Sequence, residues 1–277
     1  MHATATSPLG PFENATVAVP NWATQPQVSY DPSTDLYVLL HSRYDSVYKR
    51  TGGSKGALAC TVDGRQAAPP VGFNCPHKPC QASDFPSGQL MEGNVTLAFS
   101  KSLSGPWTMD RIDVQLDKYM GNPSLMVHAN GTAVLVWRGS NGFCTAVASS
   151  VRGPYTQINT APFHLVDPHI FWIDSPPSYH VISLEGGHAF ASHLEHGWTR
   201  IEAPNAQHGP AYNFTVNFST TESHAYGTRE CPVVVQDSVG GKPLWLVSVL
   251  QRLNSNDCGN CPSATVAQKI KTDDTAS

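Results

Sequence analysis

The sequence predicts an all-β protein, a propeller assembled from repeated hairpin units. Helical periodicity is almost absent: no window places apolar residues at three- and four-residue spacing between a cap and a stop signal. Short apolar runs broken by turn signals fill the chain instead. Four of those runs repeat one order of features, which is the mark of a recurring supersecondary unit.

In chain order, the first unit is Pro26 to His41 (PQVSYDPSTDLYVLLH), with its turn at Asp31 to Asp35. The second is Asn122 to Gly139 (NPSLMVHANGTAVLVWRG), where Asn130-Gly131 is a strong hairpin signal. The third is Asp167 to Gly186 (DPHIFWIDSPPSYHVISLEG), turning at Asp174 to Ser178. The fourth is Glu230 to Gln251 (ECPVVVQDSVGGKPLWLVSVLQ), turning at Ser238 to Lys242. Each has a proline, an apolar strand, a polar turn and a second apolar strand. Val134 to Trp137 and Leu244 to Val249 are apolar on both faces, so these strands are expected to be sandwiched inside the fold.

A second element follows three of the hairpins: AFSKSLSGPW (Ala98 to Trp107), VASSVRGPY (Val147 to Tyr155) and HAFASHLEHGW (His188 to Trp198). From Asn122 to Gly153 is 31 residues, and from Asp167 to Gly197 is 30. Matching gaps make hairpin and trailing element one unit of the size of a propeller blade. Trp107, Tyr155 and Trp198 recur at one repeat position, so packing between blades explains them better than sugar stacking.

The first unit carries an insertion at about 42–92, Ser42 to Glu92, holding Cys60, Cys75 and Cys80. The whole chain, 1–277, reads as a single domain. Four blades are clear. A fifth is incomplete or built from the termini, with a strand near Ala15 to Val19 expected to complete the last unit beyond Ser263 to Ile270.

Composition excludes several function classes. Charged residues make up 14% of the chain, too few for a disordered acidic tail or a coiled coil. The net charge of −4 comes with no basic stripe, which argues against nucleic acid as partner. No apolar stretch is long enough to cross a bilayer as a helix.

Five N-x-Ser/Thr sequons, at Asn14, Asn94, Asn130, Asn213 and Asn217, point to a secreted glycoprotein. The start MHATATSPLG has neither a basic lead nor an apolar core, so a signal peptide is expected upstream of it. The seven cysteines also include Cys144, Cys231, Cys258 and Cys261. Cys75-x4-Cys80 with Cys258-x2-Cys261 could form a four-thiolate zinc site, but in a secreted chain disulfides tying long loops are the stronger reading. The odd count leaves at least one thiol free or paired between chains.

These strings resemble the five-bladed propeller of glycoside hydrolase family 43. The recurring Ser-x-x-x-Gly-Pro-aromatic element is common in that family's blades. The run from Asn122 to Ile270 is similar to a family-43-like subgroup, through Asn122-Pro123, Asp167-Pro168, Gly186 to Ala191 (GGHAFA), Arg229-Glu230-Cys231-Pro232 and the terminal strand Ser263 to Ile270. The resemblance implies an enzyme that cleaves a glycosidic bond in an extracellular poly- or oligosaccharide. It implies paired carboxylates at the channel mouth: one protonates the leaving oxygen and another activates water. A separation of about 6.5–9.5 Å leads to inversion. By the same resemblance Glu230 is the acid and Asp167 tunes it, while Arg229, His188, Asn122 and Glu185 contact substrate. No cofactor is required, and channel calcium is known in some relatives.

The family's third acid has no counterpart at the early blade starts, which read Gln25-Pro26 and Asn122-Pro123, and an amide cannot accept a proton from water. Three explanations stand: a base-bearing blade upstream of Met1, a loop carboxylate among Glu92, Glu185 and Asp45, or a lectin-like site that binds sugar without cleaving it. Oligomeric state has no sequence signal.

Overall fold

The computed structural model describes residues 23–43, 94–108, 120–201, 211–212, 215–217, 223–252 and 263–270. It also describes 2–6, 11, 13–16, 18, 114 and 116–117. The predicted insertion, the cysteines at 60, 75, 80, 258 and 261, and the candidate bases Asp45 and Glu92 lie outside the described residues.

Near the N-terminus, β1 (His2–Thr4) and β2 (Glu13–Thr16) form a two-stranded ribbon. Among the described residues the strand expected near Ala15 to Val19 is represented by β2, which pairs locally with β1, His2 opposite Thr16. The first large sheet is β3 (Ala23–Asp31), β4 (Leu36–Arg43) and β5 (Asn94–Ser100), extended at its outer edge by bridges from Val95 to Val114 and Phe99 to Thr108. The second is β6 (Gly121–Val127), β7 (Ala133–Gly139), β8 (Gly142–Ala148) and β9 (Thr156–Ala161). The third is β10 (His169–Asp174), β11 (Pro177–Ile182), β12 (His188–Ala191) and β13 (Thr199–Ile201). The fourth is β14 (Thr215–Asn217), β15 (Ser223–Gln236), β16 (Pro243–Arg252) and β17 (Ser263–Lys269). Every sheet is an antiparallel meander in sequence order.

The predicted turns close the predicted hairpins. In the first, Asp31 is buried, and its carboxylate accepts from Ser33 N and Oγ and from Thr34 Oγ1, at 2.7–3.0 Å. This internal pairing is what lets an acid be buried at a turn. The Gly-Pro elements also repeat in space. Gly105 and Gly153 sit at φ +85° and +83°, and each donates N–H to the carbonyl three residues back. A Cβ at Gly153 would be strained by its positive φ and would press on the Tyr155 ring at 3.3 Å.

The core lies in layers between successive sheets. Val38, Leu40, Leu97 and Phe99 pack against Leu125, Leu135 and Trp137. From the other face of the second sheet, Val134, Val136 and Phe143 pack against Ile170, Val181 and Ala189. Phe171 and Ile182 then meet Leu246 and Tyr212. Alternation along β7 therefore feeds two cores, and the expected double burial of Val134 to Trp137 is found. The aromatic residues after the glycines also pack: Tyr155 is buried in the first layer, and Trp198 meets Phe143 edge-on in the second.

The expectation for Leu244 to Val249 holds on one face only. Leu246 and Ser248 are buried, whereas Trp245, Val247 and Val249 are half-buried. Among the described residues the apolar layer of this sheet forms against the third sheet alone, leaving the alternate face partly open.

Candidate functional site

The site is built by one local device used four times. Gln25-Pro26, Asn122-Pro123, Asp167-Pro168 and Cys231-Pro232 each begin or interrupt the first long strand of a sheet. The residue before each proline lies at φ +49° to +53°. Non-glycine residues rarely adopt this conformation, and repeated strain of this kind is characteristic of ligand sites. Three of the four lie within register shifts, between Thr24 and Gln27, Gly121 and Ser124, and Glu230 and Val233. A bulge re-aims a side chain out of the regular alternation. The four X-Pro pairs, with Gln27, His169 and Val233, line one small pocket where the four sheets converge.

Within it, three neighbours close on Asp167. Gln25 Nε2 donates to Asp167 Oδ1 at 3.5 Å, Asn122 Nδ2 donates to the same oxygen, and the Cys231 thiol donates to Oδ2 at 3.7 Å. Ser42 Oγ in turn donates to Gln25 Oε1 at 3.3 Å and fixes that amide. Burial pushes the Asp167 carboxyl above its usual range, opposed by the Cys231 hydrogen bonds and the more distant positive Arg138. The Cys231 thiol is pushed up to about 12, first by loss of water around it and then by the charge and hydrogen bond of Asp167. Cys231 as a residue is exposed, so the desolvation is local to the sulfur end facing the carboxylate.

A second ring supports the first. Gln27 accepts Leu125 N–H at 2.9 Å and donates to Leu125 O at 3.2 Å, and its Nε2 lies 3.3 Å from His169 Nδ1. Ser29 Oγ donates to Leu125 O at 2.7 Å, and Ile170 N donates to Ser124 Oγ at 3.1 Å. The strands bearing the site are thus stitched to their neighbours by polar side chains. Such a shell holds functional groups in register.

Of the sequence-predicted site residues, Asp167 and Asn122 are in the pocket and in contact. Glu230 is half-buried on β15 and does not line the pocket; Cys231, one residue on, does. Arg229 is 1% exposed. Its Nε donates to Ser248 Oγ at 2.8 Å, its Nη2 donates to Gln268 Oε1 at 3.0 Å, and its guanidinium lies 4.5 Å from the Tyr212 ring centroid. It is part of the fourth sheet's interior and is not available as a sugar clamp. His188 is on β12, with Nε2 3.0 Å from His180 Nδ1, away from the pocket lining. Glu185 falls in the short turn Leu184–Gly186, and its side chain lies outside the described residues. Sequence reasoning missed Cys231, Gln25 as a direct partner of Asp167, and His169. The signal was present in the proline: aligning the four units on X-Pro selects Cys231, not Glu230.

The ring does not suit a calcium ion as it stands. It offers a single carboxylate, both of whose oxygens accept donors, beside a thiol, whereas calcium takes 6–8 oxygens. Among the described residues no three His, Cys, Asp or Glu side chains cluster as a metal site.

The pairing of Cys231 with Asp167 has a chemical consequence. In Asp167→Asn the charge and the ionic acceptor are gone, so the thiol pKa falls and more thiolate is present at pH 8. Iodoacetamide should then alkylate Cys231 several-fold faster than in the wild type, as followed by peptide mass mapping. Equal rates would contradict the contact.

No family model and no curated protein sequence matches the chain. Solved structures do. A GH43 β-1,3-galactosidase aligns over 88% of this chain and 42% of its own, at 17% identity and a TM-score of 0.50. A xylan β-1,4-xylosidase from Bacillus halodurans C-125 aligns over 90% of this chain and 41% of its own, at 16% identity and a TM-score of 0.52. The chain spans about two fifths of the length of these enzymes. At such identity the likeness concerns the fold, and the chain has the all-β propeller fold of these glycoside hydrolases.

Proposed function

We propose that the protein is a glycosidase-like protein that engages a carbohydrate at the pocket around Asp167. The observation that carries this reading is the convergence of three strained residues before proline, Gln25, Asn122 and Cys231, on the carboxylate of the fourth, Asp167. It agrees with the fold shared with a galactosidase and a xylosidase. The pocket formed by the described residues has a volume of about 70 Å³, room for a few waters or one edge of a sugar ring and not for a whole ring. Asp167 therefore meets one or two hydroxyls of a unit docked at the mouth, and Gln25 and Asn122 supply matching amides.

Hydrolysis needs a second carboxyl group. Glu230 is the candidate acid, adjacent in the chain to Cys231 and near enough to raise that thiol's pKa. The base for an inverting reaction would come from Glu185, Glu92 or Asp45. The natural setting is extracellular, and the exposed hairpin turn at Asn130 suits a glycan.

A second reading, binding of sugar without cleavage, is favoured by one observation: the other three ring positions are two amides and a thiol. The two readings separate in Glu230→Gln. If Glu230 is the acid, hydrolysis of neutral aryl glycosides should fall about hundredfold or more, with sugar binding by calorimetry retained. Unchanged turnover would remove Glu230 from the reaction. Binding with no turnover in the wild type would establish the lectin-like reading.

A further inference from the structure

Two histidines outside the pocket face each other on the third sheet. His180 on β11 lies opposite Phe171 and Phe190, and His188 on β12 lies opposite Ile182. Both therefore stand on the face whose Phe171 and Ile182 meet the fourth sheet. They are diagonal neighbours in the ladder, a spacing within reach of long side chains. His180 Nδ1 lies 3.0 Å from His188 Nε2. The His180 ring is stacked between Phe171, at 5.4 Å and 21°, and Phe190, at 6.1 Å and 25°, which holds its plane and aims both nitrogens.

The protons in this row of contacts follow from what each group can donate. Ser178 has one hydroxyl proton, and it goes to Pro176 O at 3.0 Å, because a carbonyl only accepts. Ser178 Oγ, 2.9 Å from His180 Nε2, therefore accepts from that nitrogen. His180 thus carries its proton on Nε2, and its Nδ1 presents a bare lone pair to His188. In the metal-free protein His188 Nε2 donates to that lone pair. Burial pushes the pKa of both rings down, and His180 pushes His188 further, so both are neutral at pH 7. A neutral imidazole whose other nitrogen is held by a hydrogen bond is the form in which histidine ligates a metal. Both residues are half-buried, which leaves part of each ring to solvent.

We propose that His180 Nδ1 and His188 Nε2 form a two-histidine site for a late first-row divalent ion such as Zn²⁺. Zinc–imidazole bonds of about 2.0–2.1 Å at a tetrahedral angle need the two nitrogens about 3.3–3.4 Å apart, so the pair opens by only a few tenths of an ångström. His188 moves its proton from Nε2 to Nδ1 through solvent and stays neutral, while His180 keeps its own proton on Ser178. Among the described residues no third His, Cys, Asp or Glu joins the pair, so water fills the remaining positions and an incoming ligand can displace it. Two imidazoles favour such an ion over Ca²⁺ or Mg²⁺, which take oxygen ligands. The site stands apart from the pocket around Asp167, and its assignment does not rest on the carbohydrate reading of that pocket.

The test is proton–nitrogen correlation NMR of the histidine side chains in the full chain at pH 7, titrated with Zn²⁺, Ca²⁺ or Mg²⁺. Without metal, His180 and His188 should both show the Nε2–H tautomer. Zn²⁺ should move His180 Nδ1 and His188 Nε2 saturably to the shifts of ligated nitrogen and turn His188 to its Nδ1–H form; Ca²⁺ and Mg²⁺ should move neither. Zinc bound by cysteines elsewhere in the chain leaves these imidazole signals in place. H180Q or H188Q should weaken Zn²⁺ binding at the remaining histidine about tenfold or more. S178A, which keeps both ligands, should weaken it about tenfold, the scale of losing the hydrogen-bond partner of a ligating histidine. Should either histidine variant fold poorly, the wild-type signals still decide. Imidazoles left unmoved by Zn²⁺, or one ring ligated at wild-type affinity when the other is replaced, would overturn the site. A His180 proton on Nδ1 in the metal-free protein, or S178A binding as tightly as the wild type, would overturn the role given to Ser178.

Discussion

Asp167→Asn should remove function while leaving the fold as stable as the wild type or more so. Among the described residues Asp167 is the only carboxylate lining the axial pocket, and both its oxygens sit among donors. The amide keeps the size and can still accept from Gln25 and Asn122, so the ring stays assembled. It cannot carry the charge or pair ionically with a sugar hydroxyl. A fall of about hundredfold or more in turnover, with a matching loss in binding, is the expected scale. The sign of the stability change follows from the raised carboxyl. The folded protein prefers the protonated form, so ionisation as pH rises above the ordinary value of 3.8 costs folding free energy. Asparagine does not ionise and escapes that cost. Thermal unfolding at pH 7 beside a glycoside assay decides the matter. Retained function would discard the site; function and Tm lost together would make Asp167 a structural residue.

Acidification should destabilise the protein steeply between about pH 6.5 and pH 4. His169 is buried beneath the ring, and loss of hydration pushes its pKa down to about 4. His188 is likewise pushed to about 4, by burial and then by the neighbouring His180. A histidine held below its ordinary value of 6.5 binds a proton less readily when folded than when unfolded. Its stabilising contribution is whole above 6.5 and is lost as pH falls through the folded value. For His169 the loss is about 3 kcal/mol. His188, partly exposed and coupled to His180, adds less. Urea midpoints measured from pH 7.5 to 4 should show the decline, and His169→Gln should reduce it, since glutamine can still reach the polar girdle without titrating. A decline of the same size in the variant would move the cause elsewhere. Asp167 acts in the opposite direction over the lower part of this range, so Asp167→Asn should steepen the acid-side fall.

Much of the fold was legible in the sequence because strands and turns are local. Asn130-Gly131 closes its hairpin where expected, the Ser238 to Lys242 turn joins β15 to β16, and the repeated Gly-Pro elements adopt one geometry at Gly105 and Gly153. The resemblance to family 43 propellers, carried by X-Pro starts and Gly-Pro elements, agrees with the fold of the galactosidase and the xylosidase. Asp167 and Asn122 were legible as residues of one pocket because each stands immediately before the proline that opens its strand.

Glu230, Arg229 and His188 do not line the pocket around Asp167. Side chains on a strand alternate faces, so a shift of one residue exchanges an inward group for an outward one. The register shift between Glu230 and Val233 places Cys231 in the ring, while Arg229 is sealed among Ser248, Gln268 and Tyr212. Sequence by itself determined the meander of strands, their order, and one carboxylate aimed toward the centre. Tertiary structure alone decided that the partners of this carboxylate are two amides and a thiol. Bulge register and inter-sheet packing are set by contacts between residues up to 142 positions apart, which no local pattern encodes.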